Sequence, residues 1–298
     1  MTSIIIPAHN EENVIRATLT TLLAGLDLVD TEVLVVCNGC SDATAAEAGS
    51  IGGPVQVIEI DQASKIEALN VGDAMARSYP RLYLDADVEI DGTSISRLVE
   101  ELQRPGATAA EPVPRIDTSQ SSLPVKAYYA VSVALHGQRP GDLGCGIYAM
   151  SHDGRARFGA FPDVIADDAY ARGHFDSGEL VRVNTATSVI YAPERVEDLL
   201  QIKTRSRLGT LELQEKYPEL WARKQAHMKP LIDKAAALPI RVWPAVPIYV
   251  ALQLLARRRA RKLTTSLDSY RWQRDESSRD RPDDAVFGRF AVGRRRTS

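Results

Sequence analysis

Ser3-Ile4-Ile5-Ile6-Pro7-Ala8-His9-Asn10-Glu11-Glu12 opens the chain on a β-branched apolar run, which Pro7 ends and an acidic turn follows. A run apolar at every position reads as a strand buried on both faces. Residues 32–36, 55–60 and 81–84, mostly apolar, read as further strands. Between them, helices are predicted over 11–26, capped by Asn10; to 48, capped by Ser41 or Asp42; and over 64–78, opened by Ser64. This alternation predicts an α/β fold with a mostly parallel central sheet covered by helices on both faces. Ligands of such sheets bind beyond the carboxyl ends of the strands. Here those ends are Pro7-Ala8-His9-Asn10-Glu11, Cys37-Asn38-Gly39-Cys40-Ser41-Asp42 and Asp85-Ala86-Asp87.

Downstream, the pattern predicts a helix over 123–136, a glycine-led strand over 144–150 and an acidic segment entering a helix over 163–172. A strand over 180–183 and a long cation-rich helix over 194–217 follow. The expected organisation is an α/β domain over 1–215, a helical extension over 216–265 and a charged, loose tail over 266–298.

The chain has 298 residues and a net charge of −3. Residues 257–298 hold 13 Lys or Arg against 6 Asp or Glu, a net of +7, so residues 1–256 hold −10. An acidic body with a basic end reads either as a solvated tail or as contact with an anionic lipid surface. Residues 238–262 join an apolar run to Arg257-Arg258-Arg259-Ala260-Arg261-Lys262, an order suited to peripheral contact with an anionic membrane or to a packed helix. The apolar part is too short to cross a bilayer. Three cysteines, Cys37, Cys40 and Cys145, suggest no disulfide framework, and no second pair completes a zinc set around Cys37 and Cys40. Met1-Thr2-Ser3 does not read as a signal peptide. The expected location is cytoplasmic, peripheral on the inner face of the membrane. No nucleic-acid partner is expected.

Asp85 and Asp87 stand two apart at a strand end. Like charges there are costly unless a cation is shared. A divalent Mg²⁺ or Mn²⁺ that also grips substrate phosphates would share them, and a solvated turn is the alternative. Asp167-Asp168 reads as a helix cap or as the source of a general base. Lys65, Arg205 and Arg207 are candidate phosphate partners, and helical residues two apart point to different sides. Gly144 and Gly146, around Cys145, would let backbone approach a ligand. No glycine fingerprint for a dinucleotide, no phosphate loop and no nucleophile elbow is present, which argues against those enzyme classes.

In this order the motifs resemble glycosyltransferase family 2. Ile4 to Glu12 resembles its opening strand, Val35-Val-Cys-Asn-Gly-Cys-Ser-Asp42 its second nucleotide segment, and Lys65-Ile-Glu-Ala-Leu-Asn-Val-Gly72 its Lys-led helix. Asp85-Ala-Asp87 stands where its D-x-D motif stands. Phe158-Gly-Ala-Phe-Pro-Asp163 with Ala166-Asp167-Asp168 resembles its acceptor-side loop and base motif, and Arg205-x-x-x-Gly209 its later Arg segment. The likeness runs from Ser3 to Gly209. It implies a GT-A (Rossmann-like) fold with inversion at the anomeric carbon. It also implies a nucleoside-diphosphate-sugar donor, a hydroxyl acceptor and a divalent cation, Mg²⁺ or Mn²⁺.

Carried over residue by residue, Pro7, Ala8, Asn10 and Glu11 would hold the nucleoside, and Asn38 and Asp42 would line base and ribose. Lys65 would stand near the nucleotide, with Asp85 and Ala86 beside it. Asp87 would ligate the metal with Asp85, and Asp168, next to Asp167, would be the base. Arg205 would touch the pyrophosphate, and Gly144, Cys145 and Gly146 would form the sugar loop. The chain departs from the family in three places. Cys37-Asn38 stands where members often have Asp-Asp, Asp167-Asp168 where they have Glu-Asp, and Ser206 follows Arg205 where processive members have Trp. The acceptor implied is lipid-linked or a cell-envelope glycan. The alternatives are a sugar nucleotidyltransferase and a non-catalytic nucleotide- or membrane-binding module.

Overall fold

The computed structural model describes residues 1–137, 140–141, 143–176, 178–226 and 238–263. Among these, seven strands form one sheet: β1 (Thr2–Ala8), β2 (Thr31–Asn38), β3 (Val55–Ile60), β4 (Arg81–Leu84), β5 (Ala109–Asp117), β6 (Ile147–Met150) and β7 (Leu180–Tyr191). Their order is β3-β2-β1-β4-β6-β5-β7. All pairs are parallel except those of β6, which runs antiparallel to β4 and β5. The helices are α1 (Ile15–Leu23), α2 (Thr44–Gly49), α3 (Lys65–Met75), α4 (Gly92–Glu101), α5 (Leu123–His136), α6 (His152–Arg155), α7 (Asp167–Arg172), α8 (Val196–Lys216), α9 (Pro218–Ala226) and α10 (Val246–Leu263). A 3₁₀ turn, Ile240–Ala245, precedes α10.

Strand period two divides β1 between two cores. Ile4 and Ile6 pack with Ile15, Leu19 and Leu22 of α1 and with Ile95 and Leu98 of α4. Ile5 faces the other way, among Ile66 and Leu69 of α3 and Phe158, Phe161 and Tyr170. Each such isoleucine, fully removed from water, contributes roughly 1.5–3 kcal/mol. A third cluster joins Val125, Tyr128 and Tyr129 of α5 to Leu199 and Leu200 of α8 and Leu252 and Ala256 of α10.

The helix expected from residue 11 begins at Ile15. Asn10 has a left-handed φ of 53°, and its neighbours bind the β2 loop instead of a helix. Asn10 Oδ1 accepts from Ser41 N (2.8 Å), Glu11 N donates to Thr44 Oγ1 (2.7 Å) and the Glu12 carboxylate accepts from Ala43 N (2.9 Å). The second helix starts at Thr44, two residues after Asp42, and α3 ends at Met75, three before the expected 78. Residues 144–146 form a loop, and β6 starts only at Ile147. The strand expected over 180–183 runs to Tyr191, because β5 pairs with it along its whole length around a bulge at Pro112/Val113. The tail over 266–298, and residues 227–237 and 264–265 of the extension, lie outside the described residues.

Candidate active site

From β1 the chain winds outward through β2 to β3, then returns to add β4 on the other side of β1. Loops leaving β1 and β4 therefore diverge, and a crevice opens at their carboxyl ends. The expected nucleotide residues gather here. Pro7 and Ala8 are the last, buried residues of β1. Asn38 is buried at the end of β2, where its Nδ2 donates to Ala8 O (2.8 Å) and its Oδ1 has no hydrogen-bond partner among the described residues. Asp42 accepts from Glu12 N (3.2 Å) and Thr44 Oγ1 (2.6 Å). Gly39 has φ +56°, and a Cβ there would lie 2.8 Å from Ala63, so this turn requires glycine. Cys40 Sγ accepts from Asn10 N (3.5 Å) and lies 3.6 Å from Ala8 O. A hydrogen bond from Cys37 holds the Cys40 thiol down at about 6 and pushes Cys37 upward.

Asp85-Ala86-Asp87 leaves β4 on a fixed backbone. Asp85 N donates to Gly146 O (2.8 Å), Val88 N to Asp85 O (3.2 Å) and Thr18 Oγ1 to Ala86 O (2.8 Å). A Cβ on Gly146, which has φ +66°, would lie 2.3 Å from Val88 Cγ2, so the loop before β6 lies flush on the Asp85–Val88 turn. Cys145 is wholly buried, its thiol donating to Ile147 O (2.8 Å), and burial pushes it up to about 12. Only backbone of the Gly144-Cys145-Gly146 loop can meet a ligand.

Lys65 begins α3, after Ser64, whose hydroxyl accepts from Glu67 N (3.2 Å). A cation at a helix amino terminus opposes the dipole. Two carboxylates compensate, Asp85 at 2.7 Å and Asp167 at 3.2 Å. Burial alone would lower the Lys65 ammonium, but Asp167 and Asp85 overcome it and hold it above its usual value. Asn70 pins the 158–163 loop by two bonds to the Phe161 backbone (3.0 and 2.8 Å). A Cβ on Gly72 would lie 2.5 Å from Ile5 Cγ2, so this glycine lets α3 lie on β1.

Asp167 and Asp168 open α7 in different environments. Asp167 is 5% exposed; burial, with Asp168 and Asp85 nearby, raises its pKa against the pull of Lys65. The Asp168 side chain is 42% exposed, 3.1 Å from Arg172 and capping its own helix at Ala169 N (2.7 Å). Arg172 reaches Glu111, which is fully buried, at 3.7 Å, and Arg182 takes the other Glu111 oxygen at 2.6 Å. The Glu111–Arg172–Arg182 support escaped sequence reasoning, although the i,i+4 spacing of Asp168 and Arg172 signals its first link. Tyr148 also escaped it. Its ring stacks on Tyr83 (5.1 Å) and its buried hydroxyl has no hydrogen-bond partner among the described residues. Burial, with Asp167, Asp168 and Asp85 close by, pushes that hydroxyl well above the usual range.

Helix α8 closes this side. A Cβ on Gly209 would lie 2.8 Å from Ala166 Cβ, and the Glu212 carboxylate accepts from Ile165 N (2.7 Å). Arg205, one turn before Gly209, shares that face. Arg207 lies on the far side, where burial and the cations Arg257 and Arg261 lower its pKa. Among the described residues, no group of three or more His, Cys, Asp or Glu could hold a metal unaided.

Residues 3–134 match the sequence model described as Glycosyl transferase family 2. No curated protein matches in sequence. A mannosyltransferase from Pyrobaculum calidifontis, solved in complex with GDP-Man and Mn²⁺, is similar with a TM-score of 0.58 at 20% identity, covering 90% of this chain and 79% of that chain. Glucosyl-3-phosphoglycerate synthase from Mycobacterium tuberculosis, with Mn²⁺, UDP and glucosyl-3-phosphoglycerate, is similar at 0.52 and 22% identity, covering 72% and 79%. The same enzyme with Mg²⁺ and UDP gives 0.53 at 21% identity, covering 72% and 78%. These likenesses show a shared GT-A fold. The sequence match to glycosyltransferase family 2 spans residues 3–134, less than half of the chain, and beyond it the likenesses are of fold alone.

Proposed function

We propose that the chain moves a sugar, with inversion, from a nucleoside diphosphate to an acceptor hydroxyl, and that Asp168 is the base. One observation carries the reading: at the switch point, Lys65 ties Asp85 to buried Asp167 and leaves the next carboxylate, Asp168, exposed beside Arg172. Asp168 can take the acceptor proton as that oxygen attacks the anomeric carbon and the bond to the diphosphate breaks. Asp167 is too buried for this role and orients Lys65 instead. Arg172, held between Glu111 and Asp168, keeps Asp168 aimed. The loops of Pro7, Ala8, Asn10, Glu11, Asn38 and Asp42 shape the nucleoside site, Asn38 through the backbone that it clamps. Arg205 lies on the α8 face from which it would meet the diphosphate.

Two neighbouring carboxylates without a complete protein cage suit Mg²⁺ or Mn²⁺, whose remaining positions are filled by phosphate oxygens and water. Asp87, with Asp85, would hold the ion, which would supply positive charge to the departing diphosphate. The acceptor class favoured is a lipid-linked or cell-envelope glycan, since exposed apolar residues line the outer face of α10.

The test is hydrolysis and transfer over a panel of UDP- and GDP-sugars with metal titration. Metal-stimulated release of nucleoside diphosphate supports the reading. Release of pyrophosphate from a nucleoside triphosphate and a sugar phosphate would make the chain a nucleotidyltransferase. Tight nucleotide binding without turnover on any donor would overturn the enzymatic reading.

A further inference from the structure

Helix α10 has two different sides. Leu252, Ala256 and Ala260, spaced by four, are buried, and the first two pack with α5 and α8. Away from that row Val250, Leu254 and Leu255 are exposed, each between 44% and 49%; Ile248, at the start of the helix, is 38% exposed, and the preceding turn adds Trp243 at 58% and Ile240 at 87%. Beyond this apolar surface Arg257, Arg258, Arg261 and Lys262 are exposed as well. Residues 238–263 contain no Asp or Glu. Arg259 turns to the body, onto Glu197 (2.7 Å). Arg207 of α8 adds another cation, close enough to Arg257 and Arg261 to feel both.

We propose that this face docks on an anionic lipid bilayer, with the apolar residues of the 3₁₀ turn and α10 entering the acyl boundary and the cations meeting headgroup phosphates. The chemistry selects this occupant. An apolar strip followed by cations, with no acid of its own in residues 238–263, is complementary to an anionic interface. A second copy packed through the same face would bring like charges, the same cations, to the contact. No described helix is long and apolar enough to cross a membrane, which leaves a helix lying in the interface plane. Residues 1–256 have a net charge of −10, so an anionic surface would repel the body and turn this end inward. The inference does not depend on sugar transfer.

Flotation of the full chain with vesicles tests it, using phosphatidylcholine alone or with about one third phosphatidylglycerol. Expected are flotation with the anionic vesicles only, its loss in high salt, and at least a tenfold drop in the bound fraction for Arg257→Glu/Arg258→Glu/Arg261→Glu and for Trp243→Ser/Leu254→Ser. Thermal melting identifies any variant that fails to fold; Trp243→Tyr serves as the conservative control and should float. A wild-type chain that stays in the bottom fraction with both vesicles would overturn the proposal. So would a charge-reversed, folded variant that floats normally. A dimer that Trp243→Ser/Leu254→Ser converts to monomer, without any flotation, would assign the face to a second copy and overturn it too.

Discussion

The Lys65 ammonium lies 2.7 Å from the Asp85 carboxylate and 3.2 Å from that of Asp167, so it bridges two acids at the mouth of the crevice. Lys65→Met should leave them repelling each other. Removing one partner of a fully buried pair costs about 3–5 kcal/mol. Asp85 is 40% exposed, so a loss on the order of 2 kcal/mol is expected. Its pH dependence has a definite sign. The folded-state pKa of Asp167 is raised, so its ionisation costs stability as pH rises above its unfolded value. Without Lys65 that pKa rises further, and the deficit should be larger at neutral pH than in mild acid. Urea unfolding at the two pH values measures it; an equal deficit at both would show that Asp167 is not the group involved.

Asp168→Asn should reduce transfer by roughly 10²–10⁴, the usual worth of a positioned base, with little change in melting temperature because the side chain is exposed. Asp87→Ala should abolish metal stimulation while the fold persists. Turnover by Asp168→Asn close to the wild type, measured with saturating donor, would remove Asp168 as the base.

Cys40 should react and its two companions should not. The Cys37 hydrogen bond holds Cys40 down at about 6, so it is a thiolate at neutral pH, whereas Cys37 is pushed up and Cys145 is buried. Alkylation by iodoacetamide, mapped by mass spectrometry, is expected at Cys40, rising through pH ~6 and levelling above it. Nucleoside diphosphate with Mn²⁺ should slow it. Labelling of Cys145 in the folded chain would contradict the packing of β6.

Gly72→Ala places a methyl 2.5 Å from Ile5 Cγ2, and Gly146→Ala one 2.3 Å from Val88 Cγ2 at a left-handed φ. Each should cost about 1–3 kcal/mol, the usual range for overpacking. Their effects on catalysis should differ. Gly146→Ala shifts the Asp85–Val88 turn and should raise the metal concentration needed for half-activity. Gly72→Ala should lower melting temperature with no change in that concentration.

The first half of the fold was legible because four apolar runs alternate with capped helices, and Val55–Ile60, Arg81–Leu84 and Leu123–His136 begin and end where their patterns say. The α1 boundary was not, because Asn10, Glu11 and Glu12 look like a helix start while their hydrogen bonds go to Ser41, Thr44 and Ala43. Strand β5 was hidden by Pro112 and Pro114, residues that argue against an interior strand. The bulge beside Pro112 accommodates them. In the site, the two acidic pairs were visible as short motifs. Lys65 was visible as a cation, but its bridge from Asp85 to Asp167 joins residues 82 positions apart, which no local pattern encodes. Tyr148 and Glu111 lie inside strands, where sequence offers only the reading of core.

The one reversed strand has a consequence for how such a protein can diversify. Because β6 runs against its neighbours, its beginning meets the edge where β1, β2 and β4 finish, and Gly146 lies there beside Asp85. The crevice is thus walled by two separate chain segments, one up to residue 87 and another over 143–172. Lengthening or swapping the later segment would remodel one wall and leave the other standing, so new partners could be acquired in evolution without rebuilding the grip on the first substrate.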